Sequence, residues 1–270
     1  MATRERRRRQ PRGPLTAGKF PTVSVVSVVT GLCAWAAIAS SGLLSKILLP
    51  PPSEMWRVAG ILFSQGYAGV SFWTNYGVSL LRLAEGFGLA VVIGTTLGIA
   101  MGRNRVISNL IYPLIEVYRP LPALAYFTLL VLALGTGEAS KIAVLTLGGL
   151  PPVLLATREA AATVRQDRVE AARSMGLSPI RILMIVILPS CLPEIITGAR
   201  IGFGLCFTTL VAAEMIAANS GLGWMTYQAG QYAESSVLVI GLIVMGFTGI
   251  VADLGFRLLY RRLTPWVGKA

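Results

Sequence analysis

The sequence contains no histidine, only three cysteines, and half as many acidic residues as basic ones, 12 against 24 in 270 positions. With Cys33, Cys191 and Cys206 far apart and no imidazole available, the composition argues against a zinc, haem or di-iron site. The same absence excludes a Ser-His-Asp arrangement and a histidine proton relay. The cysteines fall in or near apolar stretches and read as small packing residues, not as a disulfide framework. No Gly-x-x-x-x-Gly-Lys-Ser/Thr loop occurs, so the chain carries no P-loop of its own. Charge is scarce as well, at 13% of residues.

Apolar residues make up 54% of the chain and the mean hydropathy is +0.68, too apolar for a water-soluble domain of this length. A helix needs roughly 20 apolar residues to cross the hydrocarbon core. Six stretches qualify: 22–43, 78–101, 107–134, 139–160, 190–217 and 236–259. They predict an all-α integral membrane fold with about six transmembrane helices. The division is a basic N-terminus over 1–20, a transmembrane domain over 21–260 containing a polar segment at about 160–189, and a short tail over 261–270. A basic region before the first apolar run has the look of a signal peptide, but the run is longer than a signal core and is predicted to stay in place.

The net charge of +12 is chiefly a topology signal. With both termini in the cytoplasm, that side receives the Arg-rich N-terminus, Arg103, Arg105, the Arg158 to Arg181 segment and the tail from Arg257 to Lys269. The far side keeps Lys46, Arg57 and Lys141, which is the positive-inside pattern. The run Arg6-Arg7-Arg8-Arg9 therefore calls for no nucleic acid partner; membrane lipid headgroups are its better secondary target.

Several features interrupt the apolar pattern. Pro50-Pro51-Pro52 leads into a short interfacial helix over Glu54 to Phe63, and Asn219 to Ser235 reads as a second short helix at the outer membrane face, anchored by aromatics. Arg119-Pro120-Leu121-Pro122 breaks the third stretch and Pro151-Pro152 kinks the fourth. Irregular backbone at membrane depth survives only where protein or a water-filled cavity covers it, so the kinks suggest a lined pathway. Glu116 with Arg119, and Arg82 with Glu85, stand three residues apart and can pair on one helix face. Arg119 is either half of such a pair or a source of positive potential for an anion pathway whose candidate residues are Glu116, Arg119, Pro120, Pro122 and Glu214.

The polar segment is the most telling. An Ala-, Arg- and Glu-rich helix from about Glu159 to Met175 is predicted to stop at Gly176, where a left-handed residue suits a helix end. Ser178-Pro179 offers an N-cap and a pre-set first helical φ, so a second helix runs from Ile180 to Leu188. The bent pair exposes Arg165, Asp167, Arg168, Glu170, Arg173 and Arg181 to another protein.

Glu170-Ala171-Ala172, Gly176 and Val186-Ile187-Leu188-Pro189 resemble the cytoplasmic coupling loop, the EAA motif, of permease subunits in ATP-binding-cassette importers; Val186 departs from the family's usual Ile. The Leu-Pro-Pro-Pro-Ser run ending at Ser53, Glu116 to Pro122, Gly137-Glu138-Ala139-Ser140-Lys141 and Gly221-Leu222-Gly223-Trp224-Met225 are similar to the nitrate, sulfonate, taurine and bicarbonate branch. Arg261-Arg262-Leu263-Thr264-Pro265-Trp266 looks most like taurine permeases. Tyr126-Phe127-Thr128 departs from relatives that carry a further Pro there.

The resemblance implies a type I importer permease fold with a cytoplasmic coupling helix, in a bacterial inner membrane. It implies contact with a dimer of ATPase subunits through Arg165, Asp167, Arg168, Glu170, Ala171, Ala172, Arg173, Ser174, Gly176 and Arg181. An external solute-binding protein and a second permease copy, as a homodimer, complete the implied assembly. No cofactor is expected on this chain; ATP and Mg belong to the ATPase subunits. The implied cargo is taurine or a related sulfonate, with nitrate or bicarbonate import, and an ATP-independent anion channel, as alternatives.

Overall fold

The computed structural model describes residues 21–41, 45 and 48–267. The basic run at Arg6–Arg9, Lys46 and Lys269 lie outside the described residues. Helices are the regular structure throughout the described residues, with an isolated Tyr67–Val70 bridge beside them. Helix α1, Pro21–Ser40, belongs to a first compact unit, 1–52, and exposes Cys33. It overlies the first predicted apolar stretch as far as Ser40.

The second unit, 53–270, holds α2 (Pro52–Gln65), α3 (Phe72–Arg103), α4 (Arg105–Tyr118), α5 (Ala123–Leu134) and α6 (Glu138–Thr163). It continues with α7 (Gln166–Ser174), α8 (Pro179–Ile182), α9 (Leu188–Ala217), α10 (Leu222–Gln231) and α11 (Ser235–Leu263). Four helical rods among the described residues are long and apolar enough to span a membrane: α3, α6, the 39-residue rod Pro179–Ala217 and α11. The predicted stretch 107–134 is not one straight helix. Asn104 caps α4 by accepting from the Val106 and Ile107 amides. After Tyr118 the chain turns at Arg119–Pro122, and α5 leaves at 105° to α4. Arg119 keeps helical dihedrals, but Pro120 and Pro122 cannot donate backbone hydrogen bonds and Pro122 is extended, so the helix breaks where the sequence predicts a kink. Taken as one broken span the bent pair is a fifth, so four to five of the expected six are long and apolar enough among the described residues.

Pro151 and Pro152, by contrast, sit inside an uninterrupted α6. Their missing N–H groups leave the Leu147 and Gly148 carbonyls without an α-helical donor, yet the neighbouring helices hold the rod together. Small residues explain how closely those neighbours come. Gly86, Ala90, Gly94, Gly98 and Gly102 recur every four residues along α3 and form a bare stripe. A Cβ on Gly98 would lie 2.7 Å from the Leu154 carbonyl oxygen of α6, and one on Gly102 would lie 2.6 Å from the Arg158 carbonyl oxygen. On the other side of α6, Gly198 and Gly202 of α9 bring a would-be Cβ within 2.8 Å of the Pro152 and Gly149 carbonyls respectively. In lipid, where apolar side chains gain little by leaving one apolar surroundings for another, such backbone approach is what binds helices. Helix α6 is accordingly the central element, with Val144, Leu145, Val153 and Leu154 fully buried.

Both predicted surface helices form. α2 covers the predicted interfacial stretch. α10 is less superficial than the sequence suggests: Leu222, Gly223, Met225 and Ala229 are buried, and Trp224 meets Tyr67 edge-on at 6.3 Å.

Candidate functional site

Three polar constellations stand out. The first lies between α3, α6, α9 and α10, buried except for Glu138, which is exposed. Asn75, Ser79 and Arg82 follow one face of α3 and are buried, while Glu85 turns to the exposed side. The predicted Arg82–Glu85 pair therefore does not form. Arg82 forks onto Glu138 at the start of α6, with Nε to Oε2 at 2.6 Å and Nη2 to Oε1 at 2.7 Å, and reaches Glu214 of α9 through Nη1 at 2.8 Å. Lys141 also donates to Glu138 Oε1 at 3.1 Å. Two cations thus meet two carboxylates, and the cluster is neutral.

Glu214 has a second task. The first amides of α10 have no partners inside their own helix; here Gly221 N donates to Asn75 Oδ1, Leu222 N to Ser79 Oγ and Gly223 N to Glu214 Oε2, each at 2.8 Å. Ser79 Oγ donates in turn to Glu214 Oε1 at 2.7 Å. A negative side chain at a helix N-terminus is also favoured by the helix dipole. Gly221 has φ +127°, and any Cβ there would fall on the Glu214 carboxylate. Asn75 Nδ2 remains buried without a partner.

The second constellation is a cavity of about 540 Å³ beside the α4–α5 bend. Arg119, Tyr118 and Tyr126 line it from the bend, Leu147, Gly148, Pro151, Pro152 and Glu159 from α6, and Thr208 and Thr209 from α9. The Tyr118 hydroxyl donates to the Tyr126 hydroxyl at 3.0 Å. Arg119 and Glu159 are exposed to the cavity and neither is engaged in an ion pair among the described residues. The predicted Glu116–Arg119 pair is absent. Of the residues proposed for a pathway, Arg119 lines the cavity, whereas Glu116, Pro120 and Pro122 do not. Glu214 belongs to the buried cluster instead. Pro151 and Pro152 line the cavity too, and neither has an N–H to offer the Leu147 and Gly148 carbonyls one turn before.

The third constellation is the polar segment. The predicted single helix from Glu159 to Met175 is two helices: α6 ends at Thr163, Val164 and Arg165 adopt non-helical dihedrals, and α7 starts at Gln166. Arg165 pairs with Asp167 at 2.5 Å, and this guanidinium holds the Asp167 carboxyl below the usual carboxylate range. Asp167 stays charged at neutral pH. Gly176 has φ +76° and donates to the Arg173 carbonyl at 2.9 Å, while Leu177 N donates to Ala172 O at 3.2 Å. This paired closure is the Schellman helix ending, as the sequence predicts. Pro179 occupies the first turn of α8, but Ser178 makes no side-chain cap.

From α8 the rod passes through a π-helical turn, Leu183–Ile187, into α9. Pro189 cannot donate to the Ile185 carbonyl, and the wider turn accommodates its ring. Val169, Ala172, Ile182, Ile187 and Cys191 form one buried cluster with Ala160 and Ala161, tying α7 to both α6 and α9. Glu170, Arg173, Ser174 and Arg181 face outward, whereas Ala172 is buried.

Residues 90–269 match the family model described as the binding-protein-dependent transport system inner membrane component. The chain belongs to this family of ABC transporter permeases. The permease is 39% identical to the taurine transport system permease protein of Escherichia coli (strain K12) over 97% of this chain and 95% of that one. It is 33% identical to the putative aliphatic sulfonates transport permease protein of the same organism over 92% of this chain and 90% of that one. Against the nitrate import permease protein of Synechocystis the figures are 30%, 92% and 91%. Its fold is that of the inward-facing MetNI methionine ABC transporter, with a TM-score of 0.58 over 69% of this chain and 93% of that chain at 21% identity. The permease is a multi-pass inner-membrane subunit of a binding-protein-dependent importer; it has no catalytic role of its own and works in a complex with ATPase subunits.

Sequence reasoning missed Asn75, Ser79, Glu138 and Glu159 as interacting groups. The spacing of Asn75, Ser79 and Arg82 by four and three residues was a legible polar stripe on a helix face. Glu138 stands three residues before Lys141, a legible pair, but its Arg82 partner is 56 positions away, and Glu159 gave no comparable signal because its cavity is assembled from distant segments.

Proposed function

We propose that this permease passes taurine, or a closely related aminosulfonate, across the membrane in an ATP-driven importer. The observation that carries the reading is the cavity at the α4–α5 bend, which presents one unpaired guanidinium, Arg119, and one unpaired carboxylate, Glu159. Taurine carries a sulfonate and an ammonium, so a path offering each charge an opposite partner suits it better than it suits nitrate or bicarbonate. The names of two relatives, a taurine permease at 39% identity and an aliphatic sulfonates permease at 33%, support a sulfonate cargo.

In this reading both termini are cytoplasmic and α7, Gly176 and α8 dock on the ATPase subunits, with a second permease copy completing the path. Arg165, Asp167, Arg168, Glu170, Arg173, Ser174 and Arg181 offer the polar contacts. Closure of the ATPase pair moves α7 and α8. Because α8 continues through the π-helical turn into α9, that motion reaches the membrane as a tilt of one 39-residue rod. Helix α6, packed between α3 and α9 and carrying the cavity wall, follows it.

A Cβ at Gly176 meets no neighbouring atom, so Gly176→Asp costs only the left-handed conformation, about 1 kcal/mol. The complex is expected at normal abundance with import uncoupled from ATP hydrolysis. Normal import by that variant removes the docking role. The reading as a whole is tested by ATP hydrolysis of the co-purified complex in lipid. The solute-binding protein is added empty, then with taurine, an alkanesulfonate lacking the amine, nitrate or bicarbonate. Selective stimulation by taurine is expected. Stimulation by nitrate or bicarbonate overturns the cargo, and conduction without ATP overturns the importer.

A further inference from the structure

A cluster of arginines outside the three constellations has no part in transport as described above. Near the end of α11, Phe256, Arg257, Tyr260 and Arg261 face Ile196, Thr197 and Arg200 of α9 across a cavity of about 300 Å³. Asp253 accepts from Arg200 Nε at 2.5 Å and from Arg257 Nε at 2.9 Å. It thereby orients two guanidinium groups while engaging only the Nε–H of each, and their terminal N–H groups stay available. Arg261 has no ion pair among the described residues. Three cations and one carboxylate leave a surplus of two positive charges.

The surroundings of this cavity are apolar. On α11 Ile250, Val251, Leu254 and Leu258 are all more than half exposed, as befits surface that meets acyl chains. A pocket between spans with fixed arginine forks and apolar flanks is the shape of a site for an anionic headgroup carrying hydrocarbon tails. A free anion would match the arginines and leave the flanks unused.

We propose that Arg200, Arg257 and Arg261 form a binding site for the phosphodiester of an anionic phospholipid, with its acyl chains lying along α9 and α11. Asp253 sets the fork, Arg200 and Arg257 turn their terminal N–H groups to the phosphate, and Arg261 closes the site from the helix end. Arg262, adjacent in sequence, does not line the cavity and is the internal control.

The test uses the purified transporter with its ATPase subunits. It is exchanged into nanodiscs of phosphatidylcholine containing phosphatidylglycerol, then returned to detergent, and the retained lipid is counted by mass spectrometry. Phosphatidylglycerol is expected to be retained in preference to phosphatidylcholine. Because one arginine near a membrane surface is worth about 1 kcal/mol towards anionic lipid, Arg261→Gln is expected to lower that retention about fivefold. Arg261→Lys should lower it less, and Arg262→Gln should leave it unchanged. Equal loss in Arg261→Gln and Arg262→Gln reduces the site to general surface charge and overturns it. Displacement of the lipid by inorganic phosphate assigns the cavity to a free anion and also overturns it. So does a cross-link from position 261 to a second permease copy that leaves no lipid bound. None of these readouts depends on the cargo, so the proposed taurine import and this site can fail separately.

Discussion

Arg82 and Arg119 are both arginines in or beside candidate membrane spans, and the molecule treats them oppositely. Arg82 spends its guanidinium on Glu138 and Glu214, backed by Ser79 and the first amides of α10. Arg119 stands at a broken helix with no partner, facing a cavity. A charge removed from water is costly unless it is paired, so the first arrangement is a fastening between four helices. An unpaired charge is retained where water or a passing ion meets it. Position in an apolar run does not distinguish them; the partners do.

The largest effect is expected from Arg82→Ala. It strands Glu214 in a fully buried site and removes one of the two cations that hold Glu138, a change worth about 3–5 kcal/mol when a buried pair is broken. The complex should nearly vanish from membranes, as measured by quantitative immunoblotting. Normal abundance would break the contrast with Arg119. Arg119→Ala is expected to assemble normally and to lower import about tenfold, the scale of losing one charged hydrogen bond to the passing anion. Uptake by reconstituted vesicles against complex abundance separates these cases. Lost assembly in Arg119→Ala would put both arginines in the structural class.

Glu214→Gln sharpens the comparison from the acidic side. The amide retains an acceptor for Gly223 N but leaves the cluster one positive charge in excess, so thermal unfolding in detergent should register a loss of about 1–3 kcal/mol. Glu85→Gln is the smallest change. Glu85 is exposed and contacts neither arginine, so stability is expected to stay within about 0.5 kcal/mol. A large loss there would revive the pairing predicted from its spacing.

Local signals carried a good part of the architecture. Gly176 ends α7 in the left-handed conformation the sequence predicts, and Pro179 begins the next helix as expected, because both effects depend on the dihedrals of one residue. The Arg119 to Pro122 break was equally visible. Pro151-Pro152 does not interrupt α6, since a proline's cost depends on what else holds the helix, and here α3 and α9 clasp it on two sides. The spacing of Arg82 and Glu85 misled for a related reason. Three residues place two side chains near one another, yet the edge of the bundle falls between them and turns one inward and the other out.

The sequence by itself determined a helical membrane permease of this family, its apolar stretches and the polar segment that bends at Gly176. Composition, helix punctuation and short motifs are properties of neighbouring residues, and they are readable without a fold. Only the tertiary structure decided that Glu138 and Glu214 complete Arg82, that Glu159 shares a cavity with Arg119, and that Arg200 meets Arg257 and Arg261. Those contacts join α3 to α6 and α9, the α4–α5 bend to α6, and α9 to α11, across 40 to 132 positions of chain, and charge complementarity acts only after close backbone packing has brought the helices within reach.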